Sequence, residues 1–131
     1  MKYKSLLLVP FCLLALCSCG NSEQVSQSKM KVSCNSDSGV TNEITLGKNA
    51  FNSIVIENNA QFETTISMQK ENLFGNWKDI NISDEDSIKV DAQSKKEITF
   101  SDDKYDKGTY RFVANGSYGD NYDYAVTMNK E

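Results

Sequence analysis

Strict alternation of apolar and polar side chains is the feature that most constrains the fold of this chain. The alternation is clear near residues 61–69 and returns at residues 122–129. The alternate positions that share one face are Phe62, Thr64, Ile66 and Met68 in the first stretch, and Tyr122, Tyr124, Val126 and Met128 in the second. A period of two places one face of a β-strand against a core and the other in solvent. The sequence therefore predicts half-buried strands.

Shorter apolar segments fill the rest of the region from Val40 onward. They are rich in β-branched or aromatic residues and span 44–46, 51–56, 77–82, 88–90, 98–100 and 110–114. Clusters of Gly, Asn, Ser and Asp separate them, and no stretch keeps a period of 3.6 residues. This pattern predicts an all-β fold, a single antiparallel β-sandwich of about seven or eight short strands over residues 40–131.

The residues that precede the predicted sandwich fall into two parts. Residues 1–18 begin with Lys2 and Lys4 and continue with an apolar run over 6–17, which is too short to span a bilayer because spanning takes about 20 apolar residues. Such a leader is typical of a signal peptide. Residues 19–39 are polar and poor in aromatics, so we expect a flexible tether there.

The string Leu16-Cys17-Ser18-Cys19-Gly20 resembles the lipobox of bacterial prolipoproteins. The resemblance implies cleavage before Cys19, attachment of lipid, palmitate included, to that residue, and anchoring of the mature chain in a membrane. Cleavage after Ser18 without lipidation, which would leave a soluble protein, is the alternative. The anchor implies a place in the cell envelope, on the outer side of the cytoplasmic membrane. In a host with two membranes the outer membrane is expected, because Gly20 is not an Asp-type retention signal.

Charge and composition exclude several classes of function. Without Lys2 and Lys4 the mature chain keeps 12 of the 14 basic side chains against 18 acidic ones, a net charge of −6. We therefore expect no nucleic-acid partner and no close adsorption of the domain to anionic lipid. The sequence has no histidine. Cys12 and Cys17 leave with the leader and Cys19 carries lipid, so Cys34 is the one free cysteine of the mature chain. We therefore expect no zinc site, no cofactor and no internal disulfide. Cys34 is expected to lie unpaired in the tether, with pairing between chains as the alternative.

The string Asp106-Lys107-Gly108-Thr109-Tyr110-Arg111-Phe112 resembles the segment between the fifth and sixth strands of immunoglobulin-like domains. The resemblance covers roughly residues 61–128 and implies that Tyr110 forms a tyrosine corner, its hydroxyl bound to upstream backbone. It also implies that Phe112 replaces the second core cysteine and that Trp77 is the buried tryptophan of the third strand. The runner-up rests on residues 108–112 and 122–126, which are similar to the last two strands of bacterial pre-peptidase C-terminal domains, another β-sandwich.

Phe74 and Tyr118 are candidate partner-binding residues because they lie in predicted turns, flanked by Gly and Asn. An immunoglobulin-like order implies that the two turns share one end of the sandwich, the end at which the chain enters it. Exposed aromatic side chains of this kind are typical of protein-binding loops. The alternative is that both rings fold over the end of the sandwich.

The carboxylates of Asp102, Asp103 and Asp106 are weak candidates for a calcium site, since Ca²⁺ takes clustered oxygen ligands. Solvated turn residues explain the same cluster. We find no catalytic constellation, and an enzyme is not expected. The leading hypothesis is a membrane-anchored, non-catalytic extracytoplasmic binding or interaction module with a protein partner of unknown identity. The alternatives are an immunity or superinfection-exclusion lipoprotein against a bacteriocin or phage, and a calcium-dependent structural domain.

Overall fold

A computed structural model of the protein describes residues 29–115 and 121–130, which form two antiparallel β-sheets packed as a sandwich. The strands are β1 (Lys29–Ser36), β2 (Ile44–Leu46), β3 (Ser53–Asn58), β4 (Thr64–Glu71), β5 (Trp77–Ile80), β6 (Ile88–Val90), β7 (Ser94–Thr99), β8 (Gly108–Asn115) and β9 (Tyr122–Asn129). The predicted all-β sandwich is confirmed. Within these two ranges, no helix has the length and apolar character needed to cross a membrane.

One sheet has the order β1-β9-β3-β7, and the other has the order β2-β8-β4-β5 with β6 also paired to β4. The short strands β5 and β6 are two parts of one edge strand. β5 pairs with residues 68–71 of β4 and β6 pairs with residues 64–66, both in the antiparallel sense. Counted this way, the described chain fills eight strand positions, and the seven of them that lie beyond residue 40 agree with the predicted seven or eight.

The pairing of the strands is nested. β1 pairs with β9, β2 with β8, β3 with β7 and β4 with β5. This is the order of a jelly roll, in which two Greek keys close a double sheet. The immunoglobulin-like order is different because its last two strands are neighbours in one sheet, whereas β8 and β9 lie in opposite sheets. The predicted sandwich therefore stands, but its strand order is not the immunoglobulin one.

The sandwich begins earlier in the chain than the sequence indicated. β1 pairs with β9 along its whole length, from Lys29 opposite Asn129 to Ser36 opposite Tyr122. Residues 29–36 are thus part of the core sheet and not of a tether. Cys34 is free and buried instead of lying in a loose linker.

Apolar side chains from both sheets fill the space between them, and the largest of those that are almost completely buried lie between residues 51 and 128. These are Phe51, Ile54, Ile56, Ile66, Met68, Ile82, Val90, Tyr110, Phe112, Tyr124, Val126 and Met128. Burial of a single large apolar side chain contributes about 1.5–3 kcal/mol to folding. Phe112 lies in this core, as the sequence predicted.

The tyrosine corner that the sequence predicted is present. The ring of Tyr110 is buried, and its hydroxyl donates a hydrogen bond to the backbone carbonyl of Asp106. Burial, with a smaller contribution from the Asp106 carboxylate, raises the pKa of the Tyr110 phenol. The neighbouring Tyr105 has a similar role, because its hydroxyl donates to the carbonyl of Asn81 at 2.7 Å and accepts the N–H of Ser83 at 2.9 Å.

The two ends of the sandwich differ in which strands begin there. At one end, named here the Lys29 end, β1 begins, and Ser53 at the start of β3 pairs with Asn129 and with Thr99. Leu46 at the end of β2 pairs with Gly108 at the start of β8, so the connections β2–β3 and β7–β8 lie at this end too. β4 finishes here, since its Lys70 pairs with Tyr110. The opposite end, where β1 finishes, is named the Ser36 end.

We expect Tyr110→Phe to lower the free energy of unfolding by about 1 kcal/mol, because it removes one hydrogen bond and keeps the ring. Tyr105→Phe removes two bonds, and we expect it to cost about 2 kcal/mol. Urea unfolding of the chain from Cys19 onward, followed by circular dichroism, measures both. A Tyr110→Phe protein as stable as the parent would show that the corner hydroxyl does not stabilise the fold.

Candidate functional site

Two apolar side chains are exposed to solvent at the Lys29 end of the sandwich. Leu73 is 100% exposed and Phe74 is 87% exposed, and both lie in the turn that joins β4 to β5. The structure thus places Phe74 in the turn that the sequence predicted and leaves its ring uncovered. We call Leu73 and Phe74 the apolar tip.

Hydrogen bonds that Asn72 accepts hold the turn that carries the apolar tip. Its side-chain Oδ1 accepts the N–H of Phe74 at 2.9 Å and the N–H of Asn76 at 3.0 Å, and its carbonyl accepts the N–H of Gly75 at 3.1 Å. Gly75 has a φ of 81°, a conformation that glycine adopts without steric cost. A type I turn followed by such a glycine is a common three-residue hairpin connection. The apolar tip is therefore presented on a well-bonded turn.

A groove of about 510 Å³ lies beside the apolar tip, between the β4–β5 hairpin and the start of β8. Its charged lining consists of Lys70, Lys78 and Lys107 against a single carboxylate, Glu71. Gly108 leaves room for Lys70, because a Cβ at that glycine would meet Lys70 Cε at 2.5 Å. Lys70 Nζ also lies 5.6 Å from the centroid of the Tyr110 ring. We call this lysine-lined surface the basic groove.

Trp77 lies on the outer surface of the sheet and not in the core. It is half-buried, and the guanidinium of Arg111 covers its ring at 4.2 Å from the centroid. Arg111 Nε donates to Gln69 Oε1 at 2.7 Å, and Gln69 Nε2 donates to Asp79 Oδ1 at 2.8 Å. The interpretation of Trp77 as the buried core tryptophan is wrong, because an aromatic ring on an edge strand can be covered by a cation instead of by a core.

Tyr118 lies outside the described residues, but the strand ends that border residues 116–120 are described. Asn115 at the end of β8 pairs with Thr65, and Tyr122 at the start of β9 pairs with Ser36. Both belong to the Ser36 end, whereas Phe74 is at the Lys29 end. Because β4 and β8 are antiparallel neighbours, the turn after β4 and the connection after β8 leave from opposite ends. The expectation that both connections leave from one end is therefore wrong.

The acidic side chains considered for calcium do not converge on a common point. Asp102 accepts a hydrogen bond from Asn52 Nδ2 at 2.7 Å and lies 3.5 Å from Lys130 Nζ, and these two neighbours lower the pKa of its carboxyl group. Asp103 and Asp106 are exposed in the same connection. In the part of the chain that the structure describes, no three His, Cys, Asp or Glu side chains are grouped as metal ligands would be.

Sequence reasoning missed the basic groove and half of the apolar tip. Lys70, Lys78 and Lys107 come from three strand ends and have no shared motif, so only the pairing of β4 with β5 and β8 brings them together. Leu73 was part of the predicted turn over residues 72–76. Its position directly before Phe74 was the available signal, since two adjacent large apolar residues are unusual in a polar turn.

No protein-family model matches the chain, and no curated protein matches it either. Among solved structures, the chain is similar to PirA at 19% sequence identity, covering 83% of this chain and 99% of that one with a TM-score of 0.48. It is also similar to the Yersinia pseudotuberculosis-derived mitogen at 9% identity, covering 79% of this chain and 85% of that one with a TM-score of 0.36. Similarity at this level leaves the function unassigned.

We expect Trp77→Ala to cost about 1 kcal/mol, because it removes a half-buried ring and one cation–π contact. Phe112→Ala empties a fully buried core position, and we expect it to cost about 3–5 kcal/mol. Urea unfolding of the two variants beside the parent protein measures the difference. A loss for Trp77→Ala as large as that for Phe112→Ala would place Trp77 in the core and contradict the structure.

Proposed function

We propose that this chain is a membrane-anchored lipoprotein whose β-sandwich is a non-catalytic interaction module. The observation that carries the proposal is the apolar tip, since Leu73 and Phe74 are large, adjacent and exposed on a turn that Asn72 holds. Exposed apolar groups with a polar rim mark surfaces that meet another molecule. The tip and the basic groove together form the contact surface in this proposal.

The support for the anchor is the lipobox that ends in Cys19. In sequence, nine residues separate Cys19 from Lys29, where β1 begins. Even fully extended, the ten steps from Cys19 to Lys29 span no more than about 35 Å. Lipid at Cys19 would therefore keep the Lys29 end of the sandwich near the membrane, in the cell envelope as the leader implies.

The support for a non-catalytic role comes from the side chains of the basic groove. It carries three lysines and one carboxylate, Glu71, so it lacks the carboxylate pair that acid–base hydrolysis of glycosides uses. The two neighbouring phenols, Tyr105 and Tyr110, are bound to backbone groups, and burial raises the pKa of both. A phenol that is harder to ionise is a poorer general base near neutral pH. A role in immunity or superinfection exclusion would use the same anchor and surface.

Labelling with an alkyne-tagged palmitate in a lipoprotein-producing bacterium tests the anchor. We expect the parent protein to take up label and to fractionate with membranes, and Cys19→Ser to lose the label and retain its leader. Cys17→Ser is the matched control, because it changes the other lipobox cysteine and leaves the lipidated position intact. A labelled, membrane-bound Cys19→Ser protein would contradict the proposal.

A further inference from the structure

We infer that the apolar tip docks into the surface of the membrane that carries the anchor, with the lysines of the basic groove against anionic lipid headgroups. The inference rests on the proposed lipid anchor and names the surface that the interaction module meets. Three properties of the described residues point to a lipid surface: the apolar tip itself, the charge around it and its position relative to β1.

The apolar tip has the shape and chemistry of an interfacial anchor. Leu73 and Phe74 project from the turn with almost all of their surface in water. The hydrogen bonds of Asn72 to the Phe74 and Asn76 N–H groups fix the turn before contact is made. A preformed turn loses little conformational freedom on docking. The favourable free energy of moving two apolar side chains from water into the bilayer interface is therefore offset by only a small entropy cost.

The charge around the apolar tip complements an anionic surface. Lys70, Lys78 and Lys107 outnumber Glu71 in the basic groove, and basic side chains close to an anionic leaflet are attracted to it. The carboxylate of Asp102 faces the other sheet, where Asn52 and Lys130 bind it.

Acidic side chains stand at both ends of the sandwich, but those of the β7–β8 connection at the Lys29 end, Asp102, Asp103 and Asp106, are interspersed with Lys104 and Lys107. Asp37, Glu63, Asp91 and Asp123 stand at or beside strand ends of the Ser36 end, with Lys95 near them. An anionic membrane would repel that end and attract the lysine-rich one. The net charge of −6 therefore does not prevent docking, because attraction between exposed charges and a membrane falls off within roughly 8–10 Å and depends on the local surface.

The position of the apolar tip matches the position of the anchor. The β4–β5 turn lies at the Lys29 end, where β1 begins, because Lys70 pairs with Tyr110 and Leu46 pairs with Gly108. The same end of the sandwich therefore carries both the apolar tip and the attachment to the lipidated segment. A chain anchored at Cys19 would hold the apolar tip at high effective concentration over the membrane.

Trp77 provides a native probe of docking. It is the single tryptophan of the sequence, it lies three positions after Phe74, and it is half-buried on the surface of β5. Lipidated protein is reconstituted in vesicles of phosphatidylcholine with phosphatidylglycerol, and quenching of Trp77 by the neutral solute acrylamide is measured. We expect quenching to be about twofold weaker for the parent protein than for the Leu73→Ser, Phe74→Ser double variant, because docking shields the ring.

Two controls separate docking from a change of fold. The Leu73→Met, Phe74→Leu double variant keeps an apolar tip, and we expect it to be quenched like the parent. Replacing phosphatidylglycerol with phosphatidylcholine, or adding salt, should weaken the protection because the lysines lose their electrostatic partner. In the absence of vesicles, all three proteins should be quenched equally.

Equal quenching of the parent and the Leu73→Ser, Phe74→Ser variant in these vesicles, which contain no other protein, would overturn the inference and leave the apolar tip to a protein partner. Mass spectrometry of the same preparation reports lipid on Cys19, so failure of docking is distinguished from failure of the anchor.

If Cys19 proves unlipidated, its thiol can be coupled to a maleimide lipid while buried Cys34 stays shielded. The quenching comparison on that coupled protein then decides the docking inference by the same criterion.

Discussion

The contact between Phe51 and Tyr105 holds the Lys29 end of the sandwich together. The two rings are stacked with their centroids 5.0 Å apart, and Phe100 and Tyr110 pack edge-on against Tyr105 at 5.0 Å and 6.3 Å. Phe51 and Phe100 flank strands of one sheet and Tyr110 belongs to the other, so Tyr105 fills the space between the sheets. The described chain has no disulfide, and the packing of this aromatic cluster fixes the β7–β8 connection together with the hydrogen bonds of the Tyr105 and Tyr110 hydroxyls. The basic groove depends on this cluster, because Lys107 ends that connection and Gly108 begins β8 directly after it.

The Ser36 end is closed by a different chemistry. The buried side chain of Asn58 donates to the carbonyls of Phe62, Val90 and Asp91 at 3.0–3.1 Å, and its Oδ1 accepts the N–H of Ala60 at 3.1 Å. These bonds tie β3 of one sheet to β6 of the other. Tyr124 adds a buried hydrogen bond to the carbonyl of Gly39 at 2.6 Å. A buried amide that makes all of these bonds fixes the sheets in one register, since leaving any of the groups unpaired would be costly.

Local patterns predicted the local features of this fold, and long-range pairing determined the rest. Alternation identified most strands, and the string around Gly108 and Tyr110 identified the tyrosine corner, because both signals lie within a few residues. The strand order could not be read in the same way, since the corner does not determine which sheet the next strand joins. β1 was missed although Met30, Val32 and Cys34 alternate with polar residues, because the Ser and Asn between them are typical of a tether. The basic groove was missed because its lysines are distant in sequence.

The central proposal is that lipid at Cys19 anchors the chain in a membrane and that the Lys29 end of the sandwich rests on that membrane. Neutron reflectometry of the lipidated protein on a supported bilayer with anionic headgroups tests it most directly, because the method measures the water content between the headgroups and the protein layer. We expect a protein layer in contact with the headgroups, with no intervening water layer. A hydrated gap with the thickness of an extended tether, up to about 35 Å for ten residues, would contradict the claim.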